Sequence, residues 1–231
     1  MKRLLVLVFS IFSFASNAQH AFNAVVIDSL EKIGNTQTPS KHFAKLYRQS
    51  ILYTNKQLLT KPDSVRRFII GFENSFASFF FKAHQNYIDR KEQSPVWEKY
   101  YSNKNFSELQ FQFIGINAHI NGDMGEALKA VYTYDTLKKY KDELIGFQKA
   151  LNKLFDSFYT TTAKYKKVKK LHFYTLGTDK QLGKNIVLRW RKQQIKMAMT
   201  YYRNTKKYKR LYRRNKKTIR KYDRLAVKWM K

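Results

Sequence analysis

The sequence predicts an all-α protein: a single helical bundle of about six to eight helices, ending in a basic amphipathic helix. Three observations predict it. Only 3 Pro and 8 Gly punctuate 231 residues, so few breaks interrupt the chain. Apolar residues recur at three-and-four spacing rather than in the alternation of a half-buried strand. No self-similarity is visible at the roughly 20 to 50-residue periods of stacked-repeat proteins, which favours a bundle over a solenoid.

The elements follow in chain order. Lys2 and Arg3 precede an apolar run from Leu4 to Ala15, and Ser16-Asn17-Ala18 supplies small residues at the positions a signal peptidase reads. This is the three-part pattern of a cleavable signal peptide ending at Ala18. The run is shorter than the roughly 20 residues that span a bilayer, and a chain with 0 Cys has no site for a lipoprotein anchor. The expectation is an exported protein, periplasmic or secreted, with no transmembrane span after cleavage. Without disulfides, a hydrophobic core has to hold it together. Residues 19–202 are expected to form the helical domain and 203–231 a basic helical tail.

Phe22, Val26, Leu30 and Ile33 predict a helix over about 20–34. Phe43, Leu46, Tyr47, Ser50 and Ile51 predict another behind Ser40 as N-cap. Behind the start signal Pro62-Asp63-Ser64, the residues Phe68, Phe72, Phe76, Phe79, Phe80, Ala83 and Tyr87 predict a buried helix over 63–90. Trp97 falls on a short helix after Pro95. Leu109, Phe113, Ile116, Ile120 and Met124 define a fifth helix, and Leu137, Leu144, Phe147, Leu151, Leu154 and Phe158 a sixth. A basic loop near 164–185, with Gly177 and Gly183, leads to the last long helices.

Charge is concentrated at one end. Residues 164–231 hold 25 Lys and Arg against 2 acids, Asp179 and Asp223, a net of +23; residues 19–163 carry a net of only +5. Tyr201, Tyr208, Tyr212, Ile219, Tyr222, Ala226 and Trp229 fall along one helical stripe. Lys206, Lys207, Lys209, Arg210, Arg213, Arg214, Lys216 and Lys217 cover the remaining faces. Three readings are open. The stripe packs on the bundle and the cations are solvated; or the helix adsorbs to anionic lipid, lipopolysaccharide or acidic glycan; or it binds nucleic acid through the phosphate backbone. Export places the last behind the other two.

The most informative stretch is 113–128, Phe-Ile-Gly-Ile-Asn-Ala-His-Ile-Asn-Gly-Asp-Met-Gly-Glu-Ala-Leu. On one continuous helix, Gln112, Gly115, His119, Asp123 and Glu126 project within an arc of about 80°. Asn117 and Asn121 form a second pair on the opposite side. Ala118, Gly122 and Gly125 line a flank where another helix can approach closely. Buried polar groups need partners, because an unsatisfied one costs roughly 1–3 kcal/mol; Asn117, His119, Asn121 and Asp123 are therefore expected to be networked.

Two chemistries compete there. A neutral imidazole and a carboxylate one turn apart can share a divalent ion such as zinc, with Glu126 or His84 completing the set as further ligand or proton acceptor. That arrangement describes a metal-dependent hydrolase of an anionic substrate. Alternatively, Gly122 ends one helix and Asp123 caps the next, with Glu126 reaching back in a capping box, and the cluster only ties helices together.

Gly115-x-Asn117-Ala118-His119-Ile120-Asn121-x-Asp123 resembles the N-A-H-I-N-x-D signature of an uncharacterised bacterial domain-of-unknown-function family. Looser matches are Phe43-x-x-Leu46-Tyr47, the aromatic helix ending in Ala83, the lone Trp97 and Trp190-Arg191, together covering roughly 40–200. The resemblance implies an all-α domain and carries no established activity. In the family Leu-Pro commonly follows the Asp, where this chain has Met124-Gly125; a Pro there implies a helix beginning at Asp123. The chain has no Cys for thiol chemistry, no phosphate loop, no dinucleotide fingerprint and no Gly-x-Ser-x-Gly turn.

Overall fold

The computed structural model describes residues 23–162, 164–175 and 178–230. The signal-peptide expectation, residues 1–18, lies outside them. Among the described residues every regular element is helical: α1 Ala24–Gly34, α2 Ser40–Leu58, α3 Asp63–Ile88, α4 Glu98–Tyr101, α5 Glu108–Asn117, a π-helical segment Ala118–Asp123, α6 Met124–Val131, α7 Tyr134–Lys139, α8 Lys141–Leu151, α9 Leu154–Thr162, α10 Lys166–Tyr174, α11 Thr178–Arg203 and α12 Thr205–Trp229. The all-α expectation holds. No described helix is long and apolar enough to cross a membrane.

α3 is the clearest product of its sequence. Val65, Phe68, Ile69, Phe72, Phe76, Ala77, Phe80 and Ala83 all turn inward and are buried, so the aromatic stripe supplies much of the core. At α2 the start differs from expectation. Pro39 occupies the capping position, and the Ser40 hydroxyl is buried between Tyr101 Oη at 2.9 Å and His84 Nδ1 at 2.8 Å instead of capping the helix. α5 carries the capping box that sequence reading placed further along the chain: Ser107 accepts from the Gln110 amide and the Gln110 side chain accepts from the Ser107 amide.

Two stretches depart further. The sixth helix expected across 137–158 is divided into α7, α8 and α9, although Leu137, Leu144, Phe147, Leu151 and Phe158 are all buried as its periodicity requires. The basic loop expected near 164–185 contains α10 and the first turns of α11. Gly183 lies inside α11, where a Cβ would come within 2.4 Å of the Phe155 ring. It is there for close approach, not to break the helix.

At the centre lies the continuous helical path α5–π–α6. α2 and α12 pack along α5, and α3 and α11 along α6; the π segment touches α3, α11 and α12. Gly115 lets the Phe43 ring of α2 lie where a Cβ would be 2.6 Å away, and Gly125 admits Gln194 of α11 in the same manner at 2.8 Å. α12 docks rather than floats. Ile219, Asn215, Asp223 and Ala226 are buried against the bundle, and Tyr222 meets Trp190 edge-on at 4.6 Å. The packing reading of its apolar stripe is therefore realised from Tyr208 to Ala226, while Tyr201 stays 47% exposed and the Trp229 side chain lies outside the described residues.

Candidate functional site

The N-A-H-I-N-G-D stretch forms the π turn and divides its polar residues between two faces. Gly122 does not end the helix and Asp123 does not cap the next: its backbone is helical (φ −88°, ψ −34°) and its side chain makes no cap bond. The capping reading, and the helix start at Asp123 implied by the family's Pro, are corrected accordingly. A π segment widens the helix by one residue per hydrogen-bonded turn and is found mostly where function or packing stabilises it. Here two i,i+4 side-chain pairs sit within it or at its edge.

On the first face, His119 Nδ1 and Asp123 Oδ2 share a hydrogen bond of 3.0 Å, and Trp97 Nε1 donates to the same oxygen at 2.9 Å; an oxygen that already accepts from Trp97 favours the tautomer in which Nδ1 donates. Both residues are 3% exposed. The imidazole lies flat on the Phe76 ring at 3.5 Å between centroids, with Tyr47 (4.6 Å) and Phe43 (5.3 Å) edge-on to it. Burial in this aromatic box, and then the charge of Arg191, holds the His119 pKa well below its usual value, so the ring is neutral. Burial pushes the Asp123 carboxyl up, opposed by the Trp97 N–H. With Nδ1–H fixed on Asp123, Nε2 is left as a lone-pair acceptor, and it is buried without a partner.

His119 is one of the residues that line a cavity of about 110 Å³, with Nε2 itself shielded from direct contact with water-sized groups. Phe43, Phe76, Ile116, Leu151, Phe155 and Phe158 give the cavity an apolar lining, into which Tyr47, Glu73 and Arg191 bring polar groups. The space holds several waters or one small ligand. Tyr47 Oη and Arg191 Nε, like His119 Nε2, are buried and lack hydrogen-bond partners. Burial raises Glu73 to about 7 against the pull of Arg191, and lowers Arg191 to about 10 against the pull of Glu73 and Tyr47. Tyr47 is held protonated, first by burial and then by the charges of Glu73 and Asp123. Arg191 is further fixed by donating to Gln148 Oε1.

On the opposite face, Asn121 Nδ2 donates to Asn117 Oδ1 at 2.9 Å, and Asn117 Nδ2 donates to Asp223 Oδ1 at 2.8 Å and to the Ile219 carbonyl at 2.9 Å. Asn215 of α12 donates to the Asn121 carbonyl and accepts from Gln194 of α11 at 3.0 Å. This second network ties the last two helices to the centre. Asp223 is pushed up to about 6 by burial, less the effect of the Asn117 bond.

The expected site residues thus separate. His119 and Asp123 come together and so do Asn117 and Asn121, but as two networks rather than one. Glu126 and His84 join neither and line no part of the cavity. Glu126 accepts from Lys129 at 2.8 Å and from the Tyr208 hydroxyl at 3.2 Å. His84 is taken up by Ser40. Among the described residues no three His, Cys, Asp or Glu side chains converge as ion ligands. Lys206, Lys207, Lys209, Arg210, Arg213, Arg214, Lys216 and Lys217 are all exposed. Sequence reading missed Glu73 and Arg191 as site residues. Their signals were an acid set inside the Phe stripe of α3, three residues before Phe76, and an Arg beside the buried Trp190.

These features define an all-helical domain with a buried polar pair at a small cavity, and its family follows from the sequence. A family of unknown function, DUF5995, matches residues 24–229, and the chain belongs to it. The match runs through α12, beyond the 40–200 span of the quoted resemblances. No curated protein and no solved structure matches the chain.

Proposed function

We propose that the protein is an exported enzyme that acts on a small, largely apolar substrate bearing an anionic group, with His119 as general base. The observation that carries the reading is the unpartnered Nε2 of His119, a residue that lines the cavity, on a ring whose other nitrogen bonds to Asp123. A neutral imidazole oriented by a carboxylate is the arrangement that accepts a proton from water or a hydroxyl during acyl transfer or hydrolysis. Arg191 binds the substrate's anionic group, and the Tyr47 hydroxyl donates to the oxygen on which charge develops. Glu73, close to half-protonated at neutral pH, offsets the Arg191 charge while the cavity is empty.

Hydrolysis of an anionic substrate is one of the two readings left open by the sequence, and the cavity changes the groups assigned to it. A divalent ion such as zinc would have to be held by His119 Nε2 with Glu73, because Nδ1 is committed to Asp123. The alternative role as a tie between helices is favoured for Asn117 and Asn121 by their bonds to α12.

The test is turnover of small aryl esters with and without a carboxylate arm, at pH 7.5, with and without added zinc. His119→Gln is expected to lower the rate by about 10² to 10⁴-fold with the fold retained. Arg191→Gln is expected to remove the preference for the carboxylate-bearing ester. Equal turnover by wild type and His119→Gln would defeat the reading, and a dependence of turnover on zinc that is lost in His119→Gln would favour Nε2 as a ligand.

A further inference from the structure

A second concavity lies away from the His119 cavity, where α11 turns into α12 beside α7 and α8. Lys141, Lys192, Lys196, Arg203 and Lys207 line it, and no acid does. Its volume is about 560 Å³. Ile145, Ile195 and Met199 also line it, so the cations stand around partly apolar walls that focus their field. The acids nearest in sequence, Asp135, Asp142 and Glu143, are not part of the lining, and Glu143 is engaged by Lys61 at 3.3 Å. Among the described residues none of the five lining cations appears in an ion pair.

Two further features favour a multivalent anion. α8 starts at Lys141 without a side-chain cap, and α12 starts at Thr205 behind Asn204, which also lines the cleft. The N-terminal ends of α8, whose first turn carries Asp142 and Glu143, and of the 25-residue α12, capped by Asn204, therefore lie at this place. Arg203 is already positioned: its guanidinium lies 5.4 Å from the centre of the Tyr134 ring and donates to the Tyr134 hydroxyl at 3.2 Å. Five like charges held in one concavity repel one another, and an oxyanion carrying several charges relieves that repulsion at a single stroke.

We propose that this cleft binds a compact ligand carrying two or more phosphate groups. It differs from the expected surface contact along α12, with which it shares only Lys207. It also separates charge from aromatic insertion, because most of the α12 stripe is used in packing.

The experiment is calorimetric titration of the full chain with tripolyphosphate. Lys192→Glu/Lys196→Glu is expected to weaken binding at least about tenfold. Arg213→Glu/Lys217→Glu, the same change of charge on the exposed side of α12, is expected to weaken it less than about twofold. Where the first variant loses its helical signal by circular dichroism, Lys192→Gln/Lys196→Gln takes its place, with at least about threefold expected. Equal weakening by inner and outer pairs, or no binding of tripolyphosphate by wild type, would overturn the proposal. Vesicles with diphosphorylated headgroups supply the second arm: displacement of the protein from them by tripolyphosphate identifies a headgroup as the source, and failure to displace identifies a free phosphate compound.

Discussion

His119 and Asp123 on one side of the central helix, and Asn117 and Asn121 on the other, are both i,i+4 pairs joined by one hydrogen bond, of 3.0 and 2.9 Å. Both lie in the interior, and their surroundings use them differently. The Asn pair passes its hydrogen bonds on to Asp223, to the Ile219 carbonyl and to Asn215, so that α12 is bound through it. Among the described residues on that side only Asn121 Oδ1 is left over. The His pair is supported from behind by Trp97 and ends among residues that line the cavity, of which His119 Nε2, Tyr47 Oη and Arg191 Nε are buried without partners. A fold tolerates buried polar groups of the first kind because they are satisfied by its own helices. Groups of the second kind cost about 1–3 kcal/mol each, and a ligand or water at the cavity recovers that cost.

The sharpest way to break the comparison is to remove the Asn anchor. Asn117→Ala leaves Asp223 and the Asn121 amide buried without their partner, so a loss of about 3–5 kcal/mol is expected by urea unfolding. A loss under about 1 kcal/mol would mean that α12 is held by its apolar stripe alone.

The next effect is a pH dependence. Glu73 has a folded-state pKa raised from 4.5 to about 7. Between those values the unfolded chain ionises while the folded one keeps its proton, so the contribution of Glu73 to stability is full below about 4.5 and declines as pH rises to about 7. Glu73→Gln removes that decline. Relative to wild type at pH 4.5, it is expected to gain up to about 3 kcal/mol by pH 8, measured as the difference between the two stability profiles. Parallel profiles would show that Glu73 is not desolvated at the cavity.

A smaller change tests the support of the dyad. Trp97→Phe removes the donor to Asp123 Oδ2 and cuts a buried indole to a phenyl ring, and about 2–3 kcal/mol of stability is expected to go with the two together. Activity should fall at the same time, since Asp123 would orient His119 less firmly. The smallest effect belongs to the solvated face: Arg213→Ser with Lys217→Ser is expected to change stability by less than about 0.5 kcal/mol.

Much of this was legible in the sequence, and the residues explain how far. The stripe from Phe68 to Ala83 and the Asn117–Asp123 spacing are local patterns, so helix class, buried face and i,i+4 pairing follow directly from them. Gly183 and the breaks around α8 are not local. Gly183 answers to Phe155, 28 positions earlier in the chain, and apolar periodicity continues through the interruptions between α7 and α9. The cavity was the least visible part. Tyr47 reads as a member of an apolar helical stripe, Glu73 carries no reading of its own, and Arg191 enters only through the Trp190-Arg191 match. Only the packing of α2, α3 and α11 around the π segment makes them neighbours. Glu126 lies at the right spacing from Asp123 and still leaves the site, drawn away by Lys129 and Tyr208 of α12.

The measurement closest to the central claim is nitrogen-15 NMR of the His119 ring through a pH titration, assigned with His119→Gln. The predicted result at pH 7 is a neutral ring protonated on Nδ1 and bare on Nε2, which binds its second proton only well below the ordinary histidine range. A ring carrying its proton on Nε2, or charged at pH 7, would contradict the assignment of His119 as the base facing the cavity.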